Sequence, residues 1–200
     1  MRYLHSKSCV HRDLAARNCL ISEAGQIKIS DFGLSKIAED LGGKGGESEG
    51  EPPLEQIPLR WMAPECLRRP QLWSLKSDIW SYGVLLYEIF NEGQKPWPND
   101  PPKKIATLIR KGKMLEFPAK TPQAIKDMVA KIWSLNPDQR PTMDEIAKKI
   151  TALRKEIKLK DPSKAIIKQT VSVSKSRSET NADDDDESLR SKVTKSISRD

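Results

Sequence analysis

The order of apolar and polar residues predicts a short β-hairpin near the start of the chain. Residues alternate in polarity between positions 18 and 30, with Leu20 before a polar turn and Ile27 and Ile29 after it. Alternation on both sides of a short polar segment is typical of two paired antiparallel strands. We therefore expect a hairpin across these residues.

After Pro64 the pattern becomes helical. Residues 78–90 are apolar on almost every side, which predicts a central buried helix that ends near Asn91 and Gly93. Pro102 and Pro122 are each expected to begin a further helix.

Two of the later helices show a clear apolar face. In the helix after Pro122 this face consists of Ile125, Met128, Val129, Ile132 and Trp133. The last helix has Thr142 and Glu145 at capping-box spacing, and its expected core face is Ile146, Ile150, Leu153 and Ile157.

The composition changes after residue 158. Aromatic residues are absent from there on, and Ser, Lys and an acidic run at residues 183–187 dominate. Such a segment has too little apolar surface to offset the entropy lost on folding. We predict a folded domain over residues 1–158 and a disordered tail over residues 159–200.

Composition and charge restrict the classes of protein. The 200 residues are 36% hydrophobic and 32% charged, and the longest apolar run, residues 79–90, is too short to cross a bilayer. The net charge is +7, but the basic residues are scattered, so a direct nucleic-acid partner is not expected. No transmembrane segment and no signal peptide are predicted, and reduced cysteines in a cytoplasmic protein are expected.

Two short motifs flank the hairpin. His11-Arg12-Asp13-Leu14-Ala15-Ala16-Arg17-Asn18 precedes it, and Asp31-Phe32-Gly33 follows it. A third motif, Pro58-Leu59-Arg60-Trp61-Met62-Ala63-Pro64-Glu65, comes later. In this order and spacing they resemble the catalytic loop, the metal-binding loop and the end of the activation loop of protein kinases.

This resemblance implies a fold class. The chain would be α+β and predominantly helical, with the architecture of the large, C-terminal lobe of a kinase and a short hairpin. Kinases carry a Gly-rich phosphate loop and a strand Lys before the catalytic loop, and these are not found in the ten residues before His11. The sequence thus suggests that the N-terminal lobe is absent and that this chain, as a truncated product, is inactive.

The resemblance also assigns chemical roles. Asp13 would accept the proton of the acceptor hydroxyl, while Asn18 and Asp31 would bind Mg²⁺ at the phosphates of ATP. Leu20 would lie under the adenine, although a plain core position is the open alternative. Glu65 and Arg140 would form an ion pair, and Asp78 would bind backbone amides of the catalytic loop.

Further residues resemble tyrosine kinases. Ala15 stands where kinases acting on Ser or Thr typically carry Lys, and Arg17 would position the tyrosine ring beside Asp13. Pro58 and Trp61 would form the wall beside the substrate, with an ordinary core role for Trp61 left open. Residues 6–10, 19–21 and 29–30 are most similar to the non-receptor Fes/Fer branch.

The segment between Leu34 and Pro64 departs from the family, because it contains neither Tyr nor Thr. One hypothesis is that Glu49 contacts Arg12 in place of a phosphate, and the alternative is an unpaired acidic loop. The Gly-rich residues 42–46 are interpreted as a linker.

The predicted activity is transfer of the γ-phosphate of ATP to tyrosine hydroxyls of protein substrates, with an SH2-type module possible in a full-length form. Two alternatives stay open. The chain could be a non-catalytic protein-binding module that uses the surface at residues 58–65, or an adaptor that acts through its Ser-rich tail.

Overall fold

The computed structural model describes residues 1–41 and 58–160, and it is mostly helical. In chain order, the helices are α1 (Arg2–Ser6), α2 (Leu75–Phe90), α3 (Pro102–Arg110), α4 (Gln123–Ile132) and α5 (Met143–Lys160). The strands are β1 (Cys9–Val10), β2 (Cys19–Ile21), β3 (Ile27–Ile29) and β4 (Lys36–Ile37). Short 3₁₀ turns occur at Ala16–Asn18, Ala38–Leu41, Leu59–Trp61, Pro64–Leu67 and Pro137–Gln139.

The predicted hairpin is confirmed as the antiparallel pair β2–β3. Cys19 is opposite Ile29, and Ile21 is opposite Ile27. A second antiparallel pair joins β1 to β4, with Cys9 opposite Ile37. Sequence analysis did not predict this pair, because strands of two residues are too short to show an alternation.

The centre of the fold is α2, which begins three residues before the predicted start. The Ser74 hydroxyl accepts a hydrogen bond from the Lys76 N–H, and the Ser77 hydroxyl accepts one from the Ser74 N–H. These two serines cap the helix reciprocally, so the helix starts at Leu75. The predicted end at Asn91 is confirmed, since Asn91 is the C-cap.

The apolar core surrounds α2. Trp80 and Val84 of this helix pack against Ile105 and Ile109 of α3 and against Met62. The 3₁₀ turns at Leu59–Trp61 and Pro64–Leu67 contact α3, and the first of them also contacts α2. The segment of the third motif is therefore held on the core, close to the helix that also supports the first motif.

The later helices largely follow the sequence prediction. Ile125, Met128, Val129 and Ile132 of α4 are buried, and the predicted capping box of Thr142 and Glu145 is present at the start of α5. Ile157 is an exception. Its exposed fraction is 59%, so it does not lie in the core. It lies near the C-terminal end of α5, beyond the compact unit that spans Met1–Lys149.

Several predictions from the sequence concern residues outside the described part. The Gly-rich residues 42–46, Glu49 and the tail after residue 160 belong to this group. The described residues from 150 onward belong to a second unit. Among the helices that the structure does describe, none has both the length and the apolar content needed to span a membrane.

Gly83 of α2 packs directly against the residues at the end of α4. A Cβ atom at this position would lie 2.6 Å from Trp133 Nε1 and 2.7 Å from Ile132 Cγ2. In an exposed helix interior, replacing Gly by Ala stabilises the fold by up to about 1 kcal/mol. At position 83 the opposite sign is expected, because the added methyl group requires the two packed side chains to move.

We predict that Gly83→Ala lowers the free energy of unfolding by about 1–3 kcal/mol. Urea denaturation followed by circular dichroism measures this change. Ile89→Ala, at an exposed position of the same helix, serves as the control, with an expected change within about 0.5 kcal/mol. A Gly83→Ala protein as stable as the parent would contradict the packing described for α2.

Candidate active site

A buried carboxylate of α2 anchors the loop of residues 11–18. Asp78 is fully buried, and its two oxygens accept hydrogen bonds from the N–H groups of His11 (2.8 Å) and Arg12 (3.0 Å). His5 Nε2 lies 3.3 Å from Asp78 Oδ2. The predicted contact of Asp78 with backbone amides of this loop is therefore present.

The Asp13 carboxylate lies at the rim of the loop, with 13% of the side chain exposed. Its Oδ1 forms an ion pair with the guanidinium of Arg17, and its Oδ2 accepts a hydrogen bond of 2.9 Å from Asn18 Nδ2. Asn18 Nδ2 also donates to the Asp13 carbonyl oxygen at 2.8 Å. The structure thus brings Asp13, Arg17 and Asn18 together.

The hairpin connects this loop to the Asp31-Phe32-Gly33 motif. The carbonyl oxygen of Asn18 accepts hydrogen bonds from the N–H (2.9 Å) and the hydroxyl (3.1 Å) of Ser30, directly before Asp31. Because these contacts continue the register of β2 and β3, Asn18 and Asp31 lie at the same end of the hairpin.

His11 adds a second connection between the two motifs. The fully buried ring accepts a hydrogen bond of 3.3 Å from the Asp13 N–H at Nδ1, and its Nε2 lies 3.1 Å from the Ser30 carbonyl oxygen. Both contacts are satisfied when the proton is on Nε2. The Phe32 ring meets the His11 ring edge-on, with centroids 5.1 Å apart.

Asp31 has the backbone geometry of a tight turn and an exposed side chain. Its φ of 62° lies in the left-handed region, which Asp tolerates better than most residues. Its Oδ1 accepts a hydrogen bond of 3.3 Å from the Gly33 N–H, so the carboxylate is held while it remains exposed to solvent.

The side chain of Leu20, on strand β2 of the hairpin, is exposed rather than buried in the core. Its exposed fraction is 57%, and its neighbour Ile21 and the facing Ile27 are also exposed. The alternative of a plain core position for Leu20 is therefore wrong. Because neighbouring residues of a strand point to opposite faces, the exposure of both Leu20 and Ile21 places exposed apolar side chains on both faces of the hairpin in the described part of the chain.

Trp61 contacts both the core and the Arg17 side chain. The Arg17 guanidinium lies 4.4 Å from the centroid of the Trp61 ring. The Trp61 side chain also packs against the core cluster around α2. Trp61, one of the two residues predicted to form the substrate wall, thus lies next to Arg17, and the core alternative for Trp61 is also part of its environment.

The predicted pair of Glu65 and Arg140 is present and buried. Arg140 Nη1 lies 2.6 Å from Glu65 Oε1, and Nη2 lies 2.8 Å from Oε2. This two-pronged ion pair links the end of the third motif to the segment before α5. Removing one partner of such a buried pair typically costs about 3–5 kcal/mol, because the other charge is left alone.

Arg12 is held by an aromatic ring in the described part of the chain. Its guanidinium lies 4.6 Å from the centroid of Trp73, and its buried Nε has no hydrogen-bond partner among the described residues. Burial lowers the pKa of Arg12 from its ordinary value, with Cys66 and Asp78 acting in the opposite direction. The hypothesis that Glu49 contacts Arg12 lies outside the described residues.

Sequence analysis missed two residues of this site, Trp73 and Glu88. Glu88 is 5% exposed, and its carboxylate accepts hydrogen bonds from the loop and from Trp61. A charged residue inside the otherwise apolar stretch 78–90 was the available signal for Glu88. Trp73 carried no such signal, because a single aromatic residue after a loop is most often a packing residue.

Cysteine chemistry is not favoured near the site. Burial raises the pKa of the Cys66 thiol to about 12, and burial also raises the pKa of the Cys19 thiol. Both groups remain protonated at neutral pH, whereas a nucleophilic cysteine needs to be a thiolate.

Comparison with known proteins gives a consistent result. The family model for "Protein tyrosine and serine/threonine kinase" matches residues 1–150. Tyrosine-protein kinase Fer of Rattus norvegicus is 40% identical over 157 residues, and Fer of Homo sapiens is 39% identical over the same length. The transforming protein Fps, a tyrosine-protein kinase of avian sarcoma virus (strain PRCII), is 39% identical over 155 residues.

These matches cover 78% of this chain, but only 18% of each Fer protein and 28% of the Fps protein. The chain therefore spans less than a third of the length of these relatives. The resemblance to the Fes/Fer branch, which rested on a few short segments, is confirmed over most of the chain.

We predict that Asp78→Asn speeds hydrogen exchange at the amides of His11 and Arg12. The asparagine oxygen can still accept one of the two hydrogen bonds, whereas its NH₂ group faces the other donor. An acceleration of about tenfold or more is expected at one of these amides, since a hydrogen bond to a charged group contributes about 1.5–3 kcal/mol.

Native-state exchange followed by NMR measures this effect, with Asp100→Asn as the control. Asp100 forms an ion pair with Lys104 away from the loop. Unchanged protection of both loop amides in Asp78→Asn would show that α2 does not anchor the loop.

Proposed function

Because the chain belongs to the protein tyrosine and serine/threonine kinase family, we propose that its described residues form the catalytic loop and metal-binding loop of an enzyme that transfers the γ-phosphate of ATP to tyrosine hydroxyls of proteins. The observation that carries this proposal is the hydrogen-bonded path from Asp13 through Asn18 to Ser30. It joins the loop of residues 11–18 to the motif that begins at Asp31.

The architecture supports a more specific assignment within the family. A hairpin on a set of helices around a buried central helix is the arrangement expected for the large, C-terminal lobe of a kinase. We propose that residues 1–158 form this lobe. The exposed side chain of Leu20 then belongs to the nucleotide side of the lobe, where it contacts the adenine.

The donor atoms near the hairpin fit a magnesium ion. Asn18 Nδ2 donates two hydrogen bonds to Asp13, and the amide oxygen of Asn18 takes no part in them. The carboxylate of Asp31 is exposed and is a hard oxygen donor. The described residues contain no cluster of three or more His, Cys, Asp or Glu of the kind that encloses a metal. Mg²⁺ needs few protein ligands, since it keeps several waters and binds substrate phosphates.

In the proposed reaction the protein residues mainly position groups and stabilise charge. Asn18 and Asp31 would hold the magnesium ion, which would neutralise the charge of the phosphates. Asp13 orients the acceptor hydroxyl and accepts its proton. Phosphoryl transfer requires little covalent work from the protein, so an in-line arrangement of the acceptor is the main contribution.

The choice of tyrosine over serine is proposed from Arg17 and Trp61. The Arg17 guanidinium is held between the Asp13 carboxylate and the Trp61 ring. Arg17 is partly exposed, so one side of its planar group can meet a substrate ring. A phenol is longer than a serine side chain, so the substrate backbone lies farther from Asp13 while the Arg17 guanidinium reaches the tyrosine ring.

The test is an exchange protein in which this chain replaces the matching 157 residues of rat Fer. We predict that it phosphorylates a tyrosine peptide and not the same peptide with serine. In this protein Asp13→Asn is expected to lower the rate by about 10²–10⁴-fold, the usual contribution of a positioned base. Mass spectrometry of the peptide after incubation with Mg²⁺ and ATP measures both effects.

Asp144→Asn, an exposed carboxylate that pairs with Arg2, is the matched control and is expected to retain the parent rate. A folded exchange protein without phosphoryl transfer, or one equally active on serine, would contradict the proposal. If the 200-residue chain alone binds the tyrosine peptide while the exchange protein transfers nothing, the protein-binding module becomes the better explanation.

A further inference from the structure

Glu88 connects two segments that are far apart in the sequence. It lies on α2, and its Oε2 accepts hydrogen bonds from the Ala16 N–H (3.0 Å) and from Trp61 Nε1–H (2.9 Å). Ala16 belongs to the loop of residues 11–18, and Trp61 belongs to the segment that precedes Glu65. One buried carboxylate therefore fixes the backbone of the first segment and the ring of the second.

The Glu88 side chain is contacted by these N–H donors rather than by a cation. Among residues 1–41 and 58–160, neither Lys nor Arg forms an ion pair with it. A buried carboxylate without a cation is stabilised by the hydrogen bonds that it accepts. Movement of the Trp61 ring away from Glu88 is therefore unfavourable, and the ring is held in one orientation.

The Trp61 ring in turn supports Arg17. The guanidinium lies 4.4 Å from the ring centroid and forms an ion pair with Asp13, although 45% of the Arg17 side chain is exposed. An exposed ion pair alone is a weak restraint, because a long side chain loses rotamer entropy when it is held. The aromatic face adds a second contact that restricts the guanidinium to the side of Asp13.

We propose that Glu88 is a positioning residue for the acceptor side of the site. Through Trp61 and Ala16 it holds the Arg17 guanidinium beside Asp13, and so it sets the affinity for the tyrosine ring. This inference rests on the proposed function for the role of Arg17 toward substrate. The coupling of Glu88 to Arg17 itself is a property of the chain that can be measured without turnover.

The experiment compares two substitutions at position 88 in the full 200-residue chain. Glu88→Gln retains an oxygen that can accept both hydrogen bonds, whereas Glu88→Met has a similar shape without an oxygen acceptor. Glu92→Met, at an exposed position just after α2, is the matched control. NMR follows the indole N–H signal of Trp61 and the Nε–H signal of Arg17.

In Glu88→Met we expect the Trp61 indole signal to move and the Arg17 signal to broaden or shift toward that of a free side chain. Affinity for a tyrosine-containing peptide should fall roughly tenfold, the usual scale for one lost hydrogen bond to a charged group. Glu88→Gln should restore most of both signals and of the affinity, and Glu92→Met should change neither.

Trp61→Phe provides a second route to the same conclusion if Glu88→Met does not fold. It removes the indole N–H but keeps an aromatic ring, so the Arg17 signal is expected to move partway. An unchanged Arg17 signal in a folded Glu88→Met or Trp61→Phe protein would overturn the proposal, as would a loss of affinity with no change at Arg17. If the Arg17 signal responds but the exchange protein transfers no phosphate, the proposed function fails while the coupling of Glu88 to Arg17 stands.

Discussion

The site depends on buried carboxylates that accept hydrogen bonds from a loop with little regular secondary structure. Backbone N–H groups that are shielded from water need partners, and a non-repetitive loop provides few of its own. Helix α2 supplies them through Asp78, which binds the N–H groups of His11 and Arg12, and through Glu88, which binds that of Ala16. Because α2 is itself fixed in the apolar core, the loop acquires the rigidity of the core.

This constraint explains how one short hairpin can organise the chemistry. Asn18 and Ser30 are joined at its open end, so Asp13 on one side and Asp31 on the other belong to a single arrangement. His11 reinforces it through contacts with Asp13 and Ser30. A fixed arrangement of this kind suits the proposed reaction, in which positioning and charge stabilisation contribute most.

The sequence predicted the elements that have a strong local signal. The hairpin follows from the alternation of polar and apolar residues, and the N-terminal cap of α5 follows from its capping residues. The Glu65–Arg140 pair was implied by the resemblance of the motifs to those of kinases. It did not predict the pairing of β1 with β4, the start of α2 at Leu75 or the role of Glu88. These features depend on contacts between distant segments or on a serine pair in place of the usual Ser–Glu cap. Ile157 was misplaced because its helical periodicity continues although the side chain is exposed.

The central claim is that Asp13, Asn18 and Asp31 face one site that takes a divalent cation with a nucleotide. Paramagnetic broadening by Mn²⁺ and ATP in the NMR spectrum of the full chain tests it most directly. The account predicts strongest broadening at Asn18, Asp31 and Gly33, weaker broadening at Asp13, and loss of the effect in Asp31→Asn. Broadening confined to the acidic run at residues 183–187, with signals around the hairpin unaffected, would contradict the account.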